Sequence, residues 1–491
     1  MSTRRRVVLV AAVAAVLFVV GAVFSLLQTD EPEAFTAIEL HFKYGSIGSD
    51  YAMADDESGV PYWIWRVLPD VFPDLLEELT PGRPGEGYER LGFIYEPDVD
   101  LEHPRPIGTS FRKTQIEAIG VNCAACHVGT VRDTPGGQAR LVLGMPAQRL
   151  DFLGYERFLI NAAGDDRFDA GTLIDAINKV NPDFSFVDEL VYRFVVIPMM
   201  KDRLLTLKEK FLFIDDLERH PAWGPGRVDT FTPYKVRFDM GDEAYQIPGQ
   251  ADFPSLWDQA SRAGMFLHWD GNNESLDERN LSASIGAGAS ESSADLDGIE
   301  RIKNWIETLP APAFPAERID QSLVAAGAAI YEGACAACHA FGGERTGQVE
   351  PIAVLGTDDS RLRSFDDAIA ANMNTLGKGR SWAFSHFHAT DGYANLPIDG
   401  IWLRAPYLHN GSVPYLSDLL APASERPAAF CRGSDVFDYD RVGFVSDQSQ
   451  AECTEFWFDT TLAGNGNEGH EYGTDLTPEQ KRALLEYLKT Q

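Results

Sequence analysis

The chain has 491 residues, 44% of them hydrophobic and 11% aromatic, which is material for more than one packed core and excludes a disordered chain. Its 42 basic residues stand against 74 acidic ones, and the resulting net charge of −32 sets nucleic acid aside as a partner. Such acidity suits a well-solvated surface, and it would steer a basic partner protein by long-range attraction.

At the start, Arg4, Arg5 and Arg6 precede an apolar run from Val7 to Leu27, followed by Asp30, Glu31 and Glu33. A helix of about 21 residues rising ~1.5 Å each matches a bilayer core of ~30 Å. The flanking charges place the N-terminus on the cytoplasmic side. Ala22-Val23-Phe24 ends on a bulky residue and leaves no clear cleavage site, so residues 1–29 are predicted to be an uncleaved transmembrane anchor. The body is then expected in the periplasm or another extracytoplasmic space, held on the inner membrane.

Residues 30–95, with Tyr62, Trp63 and Trp65 and the turn-forming Pro81-Gly82-Arg83-Pro84-Gly85, read as an aromatic-rich lead-in that packs on a first domain. That domain spans 96–310, with an insertion around 181–240, and ends on the helical pattern Ile299, Ile302, Ile306, Leu309. Three prolines between Pro310 and Pro315 mark a stiff linker at 311–315, and a second domain fills 316–491. Its last helix is signalled by Thr477 as N-cap, Pro478 at the first position, Gln480 completing a capping box, and Leu484, Leu485 and Leu488 on one face. Helical patterns dominate and sustained alternation is scarce, so the fold is predicted to be mainly α.

Both halves carry the same pentapeptide near their beginning, Cys123-Ala124-Ala125-Cys126-His127 and Cys335-Ala336-Ala337-Cys338-His339. With the closing helices, the layout is that of an internal duplication. Two cysteines three apart on one helical turn reach the two vinyl groups of a haem, and the adjoining histidine then lies under the iron as its proximal ligand. A zinc site would need four ligands, and neither pair has a second Cys-x-x-Cys nearby. Two covalently bound haem c groups are therefore expected, with His127 and His339 on their irons. Cys431 and Cys453 are left over and are expected to form a disulfide, closing a loop of about 22 residues and contributing ~3 kcal/mol.

Function then turns on the sixth iron ligands, because a doubly ligated haem transfers electrons and an open one binds peroxide or oxygen. Candidates for the second haem are His470, His409, His386, His388 and Met373; for the first, Met145 is available and the position stays open.

The segment Trp402 to Leu420, WLRAPYLHNGSVPYLSDLL, resembles the signature of the bacterial dihaem cytochrome c peroxidase superfamily. So do Phe253-Pro254-Ser255-Leu256-Trp257 and His268-Trp269-Asp270-Gly271. The wording DGIWLRAPYLHNGSVP and the stretch GNGNEGHEYGTDL from Gly464 to Leu476 resemble the rubber-oxygenase-like branch in particular. The likeness runs from about Gly120 to the C-terminus, and Gly327 to Tyr331 before the second site is similar to the lead-in helix of class I cytochromes c. It implies two class I cytochrome c-like domains with long loop insertions, Trp269 carrying electrons between the haems, His409 lining a haem pocket and His470 as distal ligand of the second haem. In the rubber oxygenase a phenylalanine stands by the oxygen-binding haem; in Asn280–Gly286 here, Ile285 takes that place, a departure that stands against rubber cleavage itself.

The function implied is an oxidoreductase whose first haem binds peroxide or dioxygen while the second relays electrons supplied by a basic donor protein. The alternatives are a haem dioxygenase cleaving an apolar alkene and a plain electron carrier with both irons closed.

Overall fold

The computed structural model describes residues 31–491 apart from 53–57, 115, 211–216, 218 and 242–246. With 39% helix and 12% strand, the architecture is mixed, which corrects the expectation of a mainly α fold. The strands are short, the longest being the five residues of Thr109–Lys113, too few for alternation to stand out in sequence. Among the described residues no helix is long and apolar enough to cross a membrane. The expected inner-membrane location is withdrawn accordingly, and the Val7–Leu27 run behind it lies outside the described residues.

A four-stranded antiparallel sheet, in the order Glu31–Pro32, Thr109–Lys113, Ala118–Val121, Val60–Pro61, frames the first Cys-x-x-Cys-His. Two of these strands come from the aromatic lead-in, which is thus woven into the first unit. From the strand Val60–Pro61 the chain enters the helix Tyr62–Val71, whose Tyr62, Ile64, Trp65, Val67 and Leu68 are buried. They join Phe158, Leu159 and Ala162 of the helix Phe152–Gly164 and Leu173, Ile174 and Ile177 of the helix Ala170–Val180 in the largest core. Each such aliphatic or aromatic side chain contributes roughly 1.5–3 kcal/mol on full burial.

In the second half, the helix Gln321–Ala334 crosses the terminal helix Pro478–Leu488 at Gly327. A Cβ at Gly327 would lie 2.0 Å from the Ala483 carbonyl oxygen, so only glycine permits this approach. Tyr331 and Tyr487 pack beside the crossing with ring centres 5.1 Å apart, and Leu484, Leu485 and Leu488 are buried. The terminal helix opens on the capping box between Thr477 and Gln480, with Pro478 in its first turn. This pair carries Cys335 into place, its N–H bonded to the Tyr331 carbonyl at 2.8 Å.

The proline-rich connection is packed between the halves. Phe314 is buried against Trp402 and Tyr439, and Trp402 Nε1 donates to the Pro312 carbonyl at 2.8 Å. The strands Ala429–Arg432 and Phe456–Asp459 pair antiparallel, and a Cys431–Cys453 disulfide ties the loop between them, with Cα atoms 5.5 Å apart. From this hairpin the buried Arg432 reaches Asp252 at 2.7 Å, binding the C-terminal half to the segment that carries Phe253 and Pro254.

Candidate haem sites

The first pentapeptide is a single helical turn, Cys123–His127, set between the strands Ala118–Val121 and Val128–Val131. Asn122 starts the turn, its side-chain oxygen accepting the Ala124 N–H at 3.0 Å while its amide donates to the Gly45 carbonyl at 3.0 Å. Cys123, Cys126 and His127 line a cavity of about 230 Å³. His127 Nδ1 donates to the Pro254 carbonyl at 2.9 Å, which places the proton there and leaves the Nε2 lone pair free to bind an iron. Burial keeps this imidazole neutral, lowering its pKa to about 3 with help from the nearby Arg279 guanidinium. Burial also raises the Cys123 thiol to about 11 and the Cys126 thiol well above its ordinary value.

At the second site the same device recurs, with His339 Nδ1 donating to the Leu396 carbonyl at 2.8 Å. Cys335, Cys338 and His339 line a cavity of about 500 Å³ that His470 also enters. The His339 and His470 rings face each other with centres 6.1 Å apart. His470 Nδ1 is buried without a hydrogen-bond partner among the described residues, and burial next to His339 lowers its pKa to about 4. The neutral imidazoles, free thiols and apolar walls fit a covalently held haem at both places. Among the described residues no cluster of three or more His, Cys, Asp or Glu side chains forms an alternative metal centre.

The remaining candidates separate. His409 lines the second cavity, but its Nε2 lies 3.0 Å from Tyr393 Oη and its ring stacks on Tyr393 at 4.1 Å, so it is a wall residue with its metal-binding nitrogen engaged. His386 is bonded to Glu278 at 2.6 Å, and neither it nor His388 lines the second cavity. Met373 lines the first cavity and not the second, for which the sequence offers it. Met145 is buried in the core with Trp257 and lines neither cavity.

Trp269 stands in the wall and lines both cavities, its Nε1 donating to the Asp252 carbonyl at 2.8 Å. Ile285 packs among Leu281, Phe231 and Tyr234 and is not among the residues that line the first cavity. The helix Leu276–Gly286 instead turns Arg279, Ser282, Ala283 and Gly286 toward that cavity, the i, i+3, i+4, i+7 positions of one face. Three further groups belong to these sites. His268, held by Asn272 at 2.6 Å, and Arg279 line both cavities. Glu156 lines the first, where burial raises its carboxyl to about 8. Of the three, only His268 had a signal in sequence, as the neighbour of Trp269.

A family profile described as RoxA-like, cytochrome c-like matches residues 392–431, the stretch that holds Tyr393, Trp402 and His409. An uncharacterized protein y4iM of Sinorhizobium fredii is 29% identical over 284 residues, 49% of this chain and 64% of that protein. The chain thus spans just under two thirds of that relative. An uncharacterized protein y4iJ of the same organism is 26% identical over 506 residues, covering 82% of this chain and 81% of that protein. The cytochrome c-like match implies haem c binding and electron transfer, and through residues 392–431 the chain is similar to the rubber-oxygenase-like dihaem cytochromes.

Proposed function

We propose that the protein is an oxidoreductase that holds two haem c groups, at Cys123–His127 and Cys335–His339, and uses them unequally. The observation that carries this reading is the asymmetry of the cavities. His470 stands opposite His339 at 6.1 Å, whereas the ring beside His127 is Phe253, at 6.5 Å. The first cavity is otherwise walled mostly by apolar groups such as Phe231, Ile302, Ile306 and Phe387, with His268, whose Nδ1 is held by Asn272, and the Met373 thioether beside them. Haem closed by two imidazoles exchanges electrons, and haem with an open sixth position binds peroxide or dioxygen.

In this reading His339 and His470 saturate the second site, the apolar first cavity admits the small oxidant, and Trp269 offers an oxidisable indole between them. A peroxidase of this kind draws on a donor protein, and the net charge of −32 suits a basic one. A dioxygenase acting on an apolar alkene is the second reading; the same apolar walls favour it, and it needs no donor.

Optical and EPR spectra of the purified holoprotein test the asymmetry. One low-spin and one high-spin haem is the expected result, and two low-spin haems would replace it with the electron-carrier reading. Denaturing mass spectrometry is expected to show two covalent haems, with Cys126→Ala and Cys338→Ala each disturbing one site only. Peroxide-driven oxidation of a reduced donor, set against oxygen uptake with apolar alkenes, separates the two enzymes.

A further inference from the structure

We propose that Arg279 is the counter-ion of a haem propionate in the wall between the two cavities, an inference that rests on the two-haem reading. Arg279 lies in the first turn of the helix Leu276–Gly286, and its side chain lines both cavities. The other lysines and arginines around these cavities already have carboxylate partners. Arg361 is held by Asp270 at 2.8 Å, Lys303 by Asp277, Arg262 and Arg404 by Asp399, and Arg345 by Glu350. Arg279 stands apart from this pattern. Its one side-chain hydrogen bond among the described residues joins Nη1 to Asn280 Oδ1 at 3.2 Å, and no carboxylate pairs with it among them.

The acids of the same walls are engaged elsewhere. Asp252 is held by Arg432 at 2.7 Å, Glu350 by Arg345, and Asp229 accepts the N–H groups of Phe231, Thr232 and Gly249. Glu156 forms no ion pair with Arg279, and its raised pKa keeps it largely neutral. Burial and repulsion from Arg262 lower the Arg279 pKa to about 10. A guanidinium withdrawn from water without a partner is costly, and its planar fork accepts a carboxylate through two parallel hydrogen bonds. Each haem c brings two propionate carboxylates into these cavities, and one of them completes the missing pair.

The pairing has an electrical consequence. A fixed cation beside a haem favours the ferrous state, because reduction removes positive charge from the iron. Arg279 therefore raises the potential of the haem whose propionate it holds, and through its position in the shared wall it acts on both.

Potentiometric titration of the holoprotein, with haem counted by denaturing mass spectrometry on the same sample, tests this. Arg279→Gln is expected to keep two covalent haems and to lower the midpoint potential of at least one, while Arg279→Lys restores most of the shift. Two retained haems with unchanged potentials in Arg279→Gln would overturn the inference, as would a lysine variant as perturbed as the glutamine one. Resonance Raman spectra of the parent and Arg279→Lys proteins give an independent reading that does not need the glutamine variant to fold. The propionate bending mode is expected to shift when a two-pronged partner becomes a single ammonium, and an unchanged mode counts against the pairing. A parent protein without two haems would show the failure of the two-haem reading instead.

Discussion

Replacing His470 by glycine removes one imidazole from the second cavity while easing the backbone that carries it. His470 has φ +48, a left-handed conformation that is unfavourable by roughly 1–2 kcal/mol for a residue with a Cβ and open to glycine. The loop is also held without the ring, through the His470 N–H on the Leu355 carbonyl at 2.8 Å and the Arg426 guanidinium on the carbonyls of Asn467 and Gly469 at 2.6 and 2.8 Å. The variant is therefore expected to fold. An imidazole nitrogen lies about 1.1 Å from its ring centre and a metal–imidazole bond is about 2.0 Å, so two rings binding one metal from opposite sides would stand ~6.2 Å apart. The observed separation from His339 is 6.1 Å. His470→Gly should thus open the second iron, and optical and EPR spectra should show one low-spin haem becoming high-spin while haem content stays the same. Added imidazole, entering the space left by the ring, should restore the low-spin signal. A spectrum unchanged by the substitution, with both haems retained, would refute the assignment and mean that another group closes that iron.

Three other perturbations follow from the same geometry. Trp269→Phe keeps most of the packing but loses the indole and its 2.8 Å hydrogen bond to the Asp252 carbonyl, worth about 1 kcal/mol; both haems should remain bound while stopped-flow oxidation of the second haem by peroxide slows, and an unchanged rate would leave Trp269 a packing residue. Glu156 has its carboxyl raised from 4.5 to about 8 by burial, so the folded state keeps a proton that the unfolded chain releases across that window. Its contribution makes stability fall as pH rises from about 4.5 to about 8, by at most ~1.4 kcal/mol per pH unit; denaturant midpoints measured across this range should fall less steeply for Glu156→Gln, and parallel curves would contradict the shift. Cys453→Ser opens the 22-residue loop closed on Cys431 and should lower unfolding stability by ~3 kcal/mol with haem content intact; an unchanged denaturation curve would show that the strand pair holds the loop alone.

The features legible in the sequence are those whose chemistry is contiguous along the chain. A covalent haem attachment needs two thiols and an imidazole on one turn, so Cys123–His127 and Cys335–His339 stand out without any knowledge of the fold. The cap and apolar stripe of the terminal helix are local in the same sense, and Cys431 with Cys453 emerged by counting the thiols left over. Strands of two to five residues leave too little pattern to read, which is why the sheet around the first site, and the part residues 30–95 play in it, came only with the structure. Helical phase separated Ile285 from the cavity: position and residue type were plain in sequence, but which side of the Leu276–Gly286 helix meets the cavity depends on what packs against its other side. The same holds across the cavities, where Pro254 and Leu396 orient the two histidines, Met373 reaches the first cavity from the second half, and His470 comes to face His339. Covalent spacing and chain stiffness act between neighbours and are written in order, whereas facing and desolvation arise between segments far apart in sequence, and only the folded chain decides which of them meet.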